Sequence, residues 1–188
     1  MKNIKISTDG CADYLFDYPC IDSNDKYLKG KKISLFTSGN DICQSWFIEK
    51  GGMVFQNPQD RDVSFTNIGI VCPNVVNHDT ENDYFEILNY YVEKLQLLVH
   101  KMKGLNGFKH LIVVLPSCSN ECSTSYTRMA YYAIYGLIKG LGKIYAPYGL
   151  FINGIVLNKV DKQLYLKDRV LYLSSDNSCN TVGQVFVL

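Results

Sequence analysis

Short runs of branched apolar residues alternate along this chain with longer segments in which apolar residues recur every three or four positions. The clearest short run is 110–115 (His-Leu-Ile-Val-Val-Leu), which is typical of a strand buried on both faces. The clearest periodic segment is 82–103, whose apolar stripe predicts a helix, and a second long helix is predicted over 124–145. Strands that alternate with helices indicate a parallel sheet covered on both faces, so an α/β fold is predicted.

The same reasoning predicts the remaining elements. Further strands are expected at 31–37, 53–55, 67–72, 150–157 and 184–188, and shorter helices at 41–50 and 167–173. The first of these helices would be capped by Asn40 or Asp41 and ended by Gly51 and Gly52. Residues 1–28 show no clear period and are interpreted as an N-terminal arm, so the domain itself is expected to span 29–188.

Charge and composition exclude several classes of function. The 19 basic and 18 acidic side chains nearly balance, and no basic stripe is visible, so nucleic acid is not an expected partner. The apolar runs are too short to cross a bilayer and the N-terminus lacks the apolar stretch of a secretion signal, so no membrane partner is expected. Seven irregularly spaced cysteines and three scattered histidines predict free thiols in a cytoplasmic protein, and no metal site.

Four segments of the chain resemble the short-chain dehydrogenase/reductase family. Residues 28–37 are similar to the family's first strand, and residues 110–117 are similar to the strand that delivers its catalytic serine. Residues 146–153 are similar to a helix-to-strand turn of the family, and residues 171–176 with 181–184 are similar to its closing signature. The turn, Ala146-Pro-Tyr-Gly-Leu-Phe-Ile-Asn153, and the closing signature are the most specific matches. The resemblance covers roughly residues 28–188 and implies a Rossmann-like, doubly wound parallel sheet.

The chain is shorter than the family's pattern in two places. Only about a dozen residues separate Phe55 from the strand that begins at Asn67, whereas a complete crossover needs ~10–12 residues before its strand is counted. After Asn158 the chain reaches its last helix almost at once, so the segment that covers the substrate in the family is missing or vestigial. We therefore expect a shortened sheet without the third-strand region and without the substrate loop.

The resemblance implies a dinucleotide site, but its motif is degenerate here. In the family, a Thr-Gly-x-x-x-Gly-x-Gly turn lets the backbone approach the cofactor pyrophosphate at a helix N-terminus. The corresponding turn in this chain is one residue short and retains only Thr37 and Gly39 as candidate cofactor-binding residues. A carboxylate at Asp41 would repel a phosphate and occupy the helix donors. We therefore expect no cofactor, or NAD(P) if the chain is active.

Catalysis in the family requires a tyrosine and a lysine four residues further along the same helix. Counting back from the Ala-Pro turn places Thr127 at the tyrosine position and Tyr131 at the lysine position, and a shift by one gives Tyr126 and Ala130. A tyrosine without that lysine titrates near ~10 and is poorly tuned for proton transfer at neutral pH. Ser117 falls at the position of the catalytic serine, so the catalytic candidates of an active enzyme are Ser117, Tyr126 and Tyr131.

The two long helices carry features of an association surface. In the family these helices form a four-helix interface between two subunits. Glycines at four-residue spacing would let a neighbouring helix approach closely, and tyrosine suits interfaces because it combines an apolar ring with a polar tip. The predicted interface residues are Tyr91, Leu95, Tyr132, Gly136 and Gly140.

The packing signatures of the family persist in this chain where its chemical motifs do not. The leading interpretation is a pseudoenzyme: a catalytically inactive reductase-like subunit that forms a homodimer, or a heteromer with an active member of the family. One alternative is an atypical NAD(P)-dependent oxidoreductase that reduces a carbonyl substrate such as a 3-oxoacyl thioester. A second alternative is a ligand-sensing or scaffold protein.

Overall fold

The computed structural model describes residues 5–6, 12–13, 26–37, 42, 44–59, 62–72, 81–115, 125–157 and 163–188. Its strands and helices follow in this order: β1 (Lys5–Ile6), β2 (Ala12–Asp13), β3 (Lys32–Thr37), α1 (Ser45–Glu49), β4 (Met53–Gln56), β5 (Ile68–Cys72), α2 (Glu81–Met102), β6 (Lys109–Leu115), α3 (Ser125–Tyr145), β7 (Leu150–Val156), α4 (Gln163–Leu173) and β8 (Val185–Val187). Short 3₁₀ turns occur at Asp62–Phe65, Ala146–Tyr148 and Asp176–Ser178.

Six parallel strands form the main sheet in the order β4-β3-β5-β6-β7-β8, while β1 and β2 form a separate antiparallel pair. From β3 the chain first moves outward to β4 and then returns to β5 on the other side. This reversal makes the sheet doubly wound, and the predicted Rossmann-like class is confirmed. Among the described residues no strand lies beyond β4, in agreement with the expected loss of the third strand.

Each face of the sheet is covered by two helices. Strand β6 shows the division, because successive side chains of a strand point to opposite faces. Leu111 and Val113 pack in one apolar cluster with α2 and α3, whereas Ile112 and Val114 pack in a second cluster with α1 and α4. The core therefore has two layers, and the two long helices lie together on one side.

Helix α1 is much shorter than the helix predicted over 41–50. It begins at Ser45, follows Gln44 without a side-chain cap, and has Phe47 as its single buried residue. With one anchoring side chain, the packing supports little more than one helical turn. The end of the helix is where the sequence predicted it, because Gly51 adopts a left-handed φ of 85°. Asp41, the predicted cap, lies outside the described residues.

The last residue of the predicted arm belongs to the core. Leu28 is fully buried in the cluster that contains α1 and α4, and its N–H donates to the carbonyl of Lys50 at 3.0 Å. The chain is thereby fixed to the end of α1 before β3 begins.

The two segments that most resemble the family pack against each other. The Asn153 side chain donates to the carbonyl of Thr181 at 2.8 Å and accepts the N–H of Gln184 at 3.1 Å. Gly142 of α3 lies so close to Gly183 that a Cβ built on it would be 2.8 Å from that backbone. These contacts hold α3, β7 and the segment before β8 together.

Candidate functional site

The carboxyl ends of β3 and β5 meet at the point where the strand order reverses. In open α/β sheets, ligands bind in the crevice outside this point. The last residues of the two strands, Thr37 and Cys72, are paired in register, and both are buried. Gly39, the second predicted cofactor-binding residue, lies outside the described residues, so Thr37 is the part of that prediction that can be placed.

The backbone of Thr37 is bonded to the side chain of Asn57, which follows β4. The Asn57 amide oxygen accepts the N–H of Thr37 at 3.1 Å, and the amide nitrogen donates to the Thr37 carbonyl at 2.9 Å. Asn57 has a φ of 42°, a left-handed conformation that asparagine tolerates better than most residues, and its own N–H donates to Leu35 at 2.8 Å. The Asn57 side chain thus continues the pairing of β3 and β4 and occupies both the N–H and the carbonyl of Thr37.

A second amide contact links the start of α1 to the end of β4. The Gln44 side-chain nitrogen donates to the side-chain oxygen of Gln56. Dinucleotide-binding folds usually place an acidic residue near the end of this strand, where it binds the ribose. A five-residue helix also aligns few peptide dipoles toward a phosphate. The described side chains at this end therefore bond to one another, while the turn that would approach a pyrophosphate, 38–41, lies outside the described residues.

The two catalytic tyrosine candidates have different environments. Tyr126 lies in the first turn of α3 and is partly buried. Tyr131 is buried in the core under α3, and its ring centroid is 5.1 Å from that of Tyr132 and 5.9 Å from that of Tyr135. Ser117 lies outside the described residues, so the two tyrosines are the catalytic candidates that can be placed.

Neither Lys139 on α3 nor Lys94 on α2 occupies the position that the family's chemistry requires. The Lys139 ammonium is 4.7 Å from the ring centroid of Tyr135, and Lys139 follows Tyr126 by ~20 Å of helix at 1.5 Å per residue. On α2, the Lys94 ammonium is 2.8 Å from the carboxylate of Glu93 and 5.5 Å from the ring centroid of Phe36. Both ammonium groups contact side chains other than the tyrosine candidates.

Two tyrosines of α2 have raised pKa values, which makes their phenols poor proton donors. Burial, followed by the nearby thiol of Cys72, raises the pKa of Tyr91 well above its usual value, and the same causes raise the pKa of Tyr90. The hydroxyl of Tyr91 donates to the carbonyl of Val114 at 2.5 Å. A raised pKa keeps both phenols protonated, so Tyr91 has a structural role in fixing α2 to the sheet.

The five predicted interface residues separate into two groups. Tyr91 and Leu95 are buried in the core cluster between α2 and the sheet, and Leu95 also lines the groove between the two long helices, so their place in an interface stays a prediction. Tyr132 is 68% exposed. A Cβ built on Gly136 or Gly140 would meet no atom within 4 Å, so both glycines lie open on the outer side of α3.

An apolar groove runs between the two long helices beside these glycines. Its volume is about 280 Å³, and its lining residues are Val92, Leu95, Gln96, Val99, His100, Lys103, Leu137, Leu141 and Tyr145. Exposed apolar side chains continue along α3 on both sides of Gly136 and Gly140. We call the groove, together with the outer surface of α3, the helix-pair face; its α3 residues are Met129, Tyr132, Gly136, Gly140 and Ile144.

A buried polar cluster at the opposite edge of the sheet was not predicted. His110 is buried; its Nδ1 is 3.3 Å from the Ser178 hydroxyl, and its Nε2 is 3.6 Å from the Asp176 carboxylate. Burial, followed by the charge of Lys31, lowers the pKa of His110 to about 4, although Asp176 acts in the opposite direction. The Ser178 hydroxyl is itself buried and donates to the carbonyl of Leu173 at 3.0 Å, so the cluster is structural and not a nucleophilic triad. The one signal in the sequence was a histidine at the start of an otherwise apolar run.

Within the described part of the chain, no group of three or more His, Cys, Asp and Glu side chains could hold a metal ion. Among the helices described, none combines the length and the apolar character that a membrane span requires.

Solved structures of short-chain dehydrogenases/reductases share this fold. A short-chain dehydrogenase/reductase from Serratia marcescens matches with a TM-score of 0.69 at 14% identity, covering 86% of this chain and 97% of that one. A short-chain type dehydrogenase/reductase from Mycobacterium marinum matches with a TM-score of 0.70 at 14% identity, covering 87% and 95% of the two chains. A short chain dehydrogenase from Mycobacterium smegmatis gives 0.67 at 13%, covering 87% and 93%. No protein-family model and no curated protein sequence matches the chain. The chain therefore has the short-chain dehydrogenase/reductase fold, and at this identity the likeness establishes the fold alone.

Proposed function

We propose that this protein is a catalytically inactive, reductase-like subunit that associates with itself or with an active reductase through its helix-pair face. The observation that carries the proposal is the apolar, glycine-containing outer surface of α3 beside the groove. Tyr132 is 68% exposed, and Met129 and Ile144 are also exposed along the same helix. Contiguous exposed apolar surface of this kind marks interaction sites in soluble proteins.

The two glycines support association for an energetic reason. Glycine inside a helix costs ~1 kcal/mol relative to alanine. Within the described residues, Gly136 and Gly140 make no close contact that would require the missing Cβ. A second helix packed across them would use that space, and the groove beside them could receive its side chains.

The inactive half of the proposal rests on the polar residues at the switch point. Asn57 bonds the backbone of Thr37, and the side chains of Gln44 and Gln56 bond each other. Tyr126 also has no lysine one helical turn further on. A dinucleotide would have to break these contacts, and hydride chemistry would lack the cation that lowers the tyrosine pKa.

Association is tested by sedimentation equilibrium of the purified chain, alone and with any reductase that co-purifies from the native cell. Tyr132→Arg should weaken the association by ~30-fold, because a central aromatic residue of an interface contributes ~2 kcal/mol or more. Tyr148→Arg is the matched control, since Tyr148 is 66% exposed but lies outside the helix-pair face. A chain that stays monomeric and captures no reductase, or equal effects of both substitutions, would contradict the proposal.

Inactivity is tested separately by titration calorimetry with NADH and NADPH. We expect no binding heat for either dinucleotide. Micromolar binding would contradict the inactive half while leaving the association half standing. If cofactor oxidation then appeared with a carbonyl substrate and disappeared in Ser117→Ala, the oxidoreductase alternative would replace the proposal.

A further inference from the structure

Lysines gather at the amino edge of the main sheet, the edge where β6 and β7 begin. Helices α2 and α3 run opposite to the strands and end here, with His100, Lys101 and Lys143 in their last turns. The exposed Lys103 follows α2 directly. Between residues 94 and 159 the sequence contains one acidic residue, Glu121. The segments that form this edge therefore contain too few acidic residues to balance its positive charge.

Two acidic groups in this part of the fold are paired with lysines. The Asp176 carboxylate is 2.5 Å from the Lys31 ammonium, and the Glu49 carboxylate is 3.2 Å from the Lys167 ammonium. No ion pair is found for Lys103 or Lys143 among the described residues. We call this lysine-rich surface the basic edge and define it by His100, Lys101, Lys103, Lys143 and the turns at 104–108 and 146–149.

Two aromatic rings project from the centre of the basic edge. Phe108 is 52% exposed and Tyr148 is 66% exposed. Their turns are neighbours, because the N–H of Lys109 donates to the carbonyl of Gly149 at 2.8 Å. The edge thus combines cations with exposed apolar rings at adjacent turns.

The turn that carries Phe108 is held in place from inside. The Lys109 ammonium donates to the carbonyls of Asn106 and, at 2.9 Å, of Gly107, which has a φ of 79°. Lys109 is buried, and that burial together with the charge of Lys31 lowers its pKa. An internal cation thus fixes the turn with its phenylalanine directed outward, which reduces the entropy that binding would cost.

Helix dipoles account for part of this arrangement but not for the rings. Cations are favoured at helix C-termini, which explains His100, Lys101 and Lys143. The dipole does not account for Phe108 and Tyr148, whose ring centroids are 5.5 Å from that of Phe151 and 6.4 Å from that of Tyr145 and which still remain more than half exposed. Lysines around projecting aromatic rings are the pattern of a surface that binds at the headgroup level of an anionic bilayer.

We propose that the basic edge binds the surface of an anionic lipid bilayer, with Phe108 and Tyr148 at headgroup level and Lys103 and Lys143 against the headgroups. The cations of this edge are lysines, whereas nucleic-acid recognition favours the planar guanidinium of arginine. The two described arginines, Arg128 and Arg169, lie on α3 near its start and on α4. The basic edge adjoins the helix-pair face, because His100 and Lys103 also line its groove, but the inference does not rest on the chain being inactive.

The test is co-sedimentation of the full chain with vesicles of phosphatidylcholine alone and of phosphatidylcholine mixed with phosphatidylserine. We expect binding to the mixed vesicles only, weakened by added salt. A lysine near an anionic surface contributes about a fivefold gain in partitioning, so Lys103→Ala with Lys143→Ala should weaken binding ~25-fold. Phe108→Ala should weaken it ~10-fold, because the ring loses its apolar contact.

Two matched controls lie at the other ends of the same helices. Phe85→Ala removes a phenylalanine that is 49% exposed near the start of α2, and Arg128→Ala removes a cation near the start of α3. Both should bind the mixed vesicles like the unmodified chain, and circular dichroism should show that every variant is folded. Sedimentation equilibrium without vesicles reports the helix-pair association separately, since Lys103 also lines the groove.

Several results would overturn the inference. These are no binding to the mixed vesicles, equal binding to both kinds of vesicle, or equal losses in the Phe108→Ala and Phe85→Ala proteins. Binding of single-stranded RNA without binding to vesicles would also overturn it, and would assign the basic edge to nucleic acid instead.

Discussion

Acidification should destabilise this protein through His110. The side chain is buried at the start of β6, and burial and Lys31 lower its pKa to about 4 from the usual 6.5. In the unfolded chain the histidine takes up a proton as soon as the pH falls below about 6.5. In the folded chain it stays neutral until about pH 4. The perturbation is therefore a change of pH, compared between the unmodified chain and His110→Gln.

The sign and size follow from proton linkage. The contribution of neutral His110 to stability is complete above the unfolded pKa and is lost as the pH falls toward the folded value. A shift from 6.5 to about 4 corresponds to about 3 kcal/mol at 1.36 kcal/mol per pKa unit. Asp176 acts in the same direction: burial alone would raise its pKa, but the hydrogen bond and charge of Lys31 lower it overall. Its carboxylate is largely exposed, so solvent screens this contribution.

The assay is urea unfolding at about pH 7 and about pH 4, followed by the fluorescence of Trp46, the one tryptophan of the chain. Between these pH values the unmodified protein should lose about 3 kcal/mol more unfolding free energy than His110→Gln. His100→Gln, at an exposed histidine, should behave like the unmodified protein. Equal losses in the unmodified chain and His110→Gln, or an NMR titration that places the His110 pKa near 6.5, would refute the reasoning.

Three substitutions test the contacts that shape the switch point and the family-like segments, each measured as a change in the unfolding free energy. Asn57→Gly keeps the left-handed φ but removes both amide bonds to Thr37, and should cost about 1–2 kcal/mol; no loss would mean that the bridge is absent in solution. Gly142→Ala should cost at least ~2 kcal/mol, because its Cβ would be 2.8 Å from the backbone of Gly183, and a neutral result would contradict that close approach. Asn153→Ala should cost ~2–3 kcal/mol through two lost bonds and an unfilled space, and an unchanged protein would show that this amide is dispensable.

Most of the fold could be predicted because its elements are long or strongly apolar. The helix predicted over 82–103 occurs at Glu81–Met102, and the strand predicted over 110–115 occurs at Lys109–Leu115. Their periodicity reflects the contacts that each segment makes with the sheet or the neighbouring layers. Helix α1 was overestimated because turn residues mark where a helix can end, whereas its length depends on how many side chains find a core.

The polar contacts could not be predicted, because they join residues that are distant in the sequence. Asn57, which follows β4, bonds Thr37 at the end of β3, and His110 meets Ser178 only after the sheet has formed. A strand ending in Asn-Pro indicates a turn, but it does not indicate which backbone group the asparagine will bond. The basic edge was missed for the same reason. Its lysines form no stripe in the sequence and gather only because two helices end at one edge of the sheet.

The family-like segments of this chain are those in which each residue is fixed by its neighbours. Asn153 satisfies main-chain groups on both sides of Val182, and Gly142 and Gly183 permit a contact that no side chain could replace. A change at any of these positions would loosen the sheet whether or not the chain catalyses a reaction. The position one turn after Tyr126 is Ala130, which is fully buried in the core cluster under α3, so a lysine there would place an ammonium among apolar side chains. Under the proposed pseudoenzyme role, these packing positions are the ones that a scaffold for association must keep, since Gly142, Asn153 and Gly183 hold α3, β7 and the segment before β8 together.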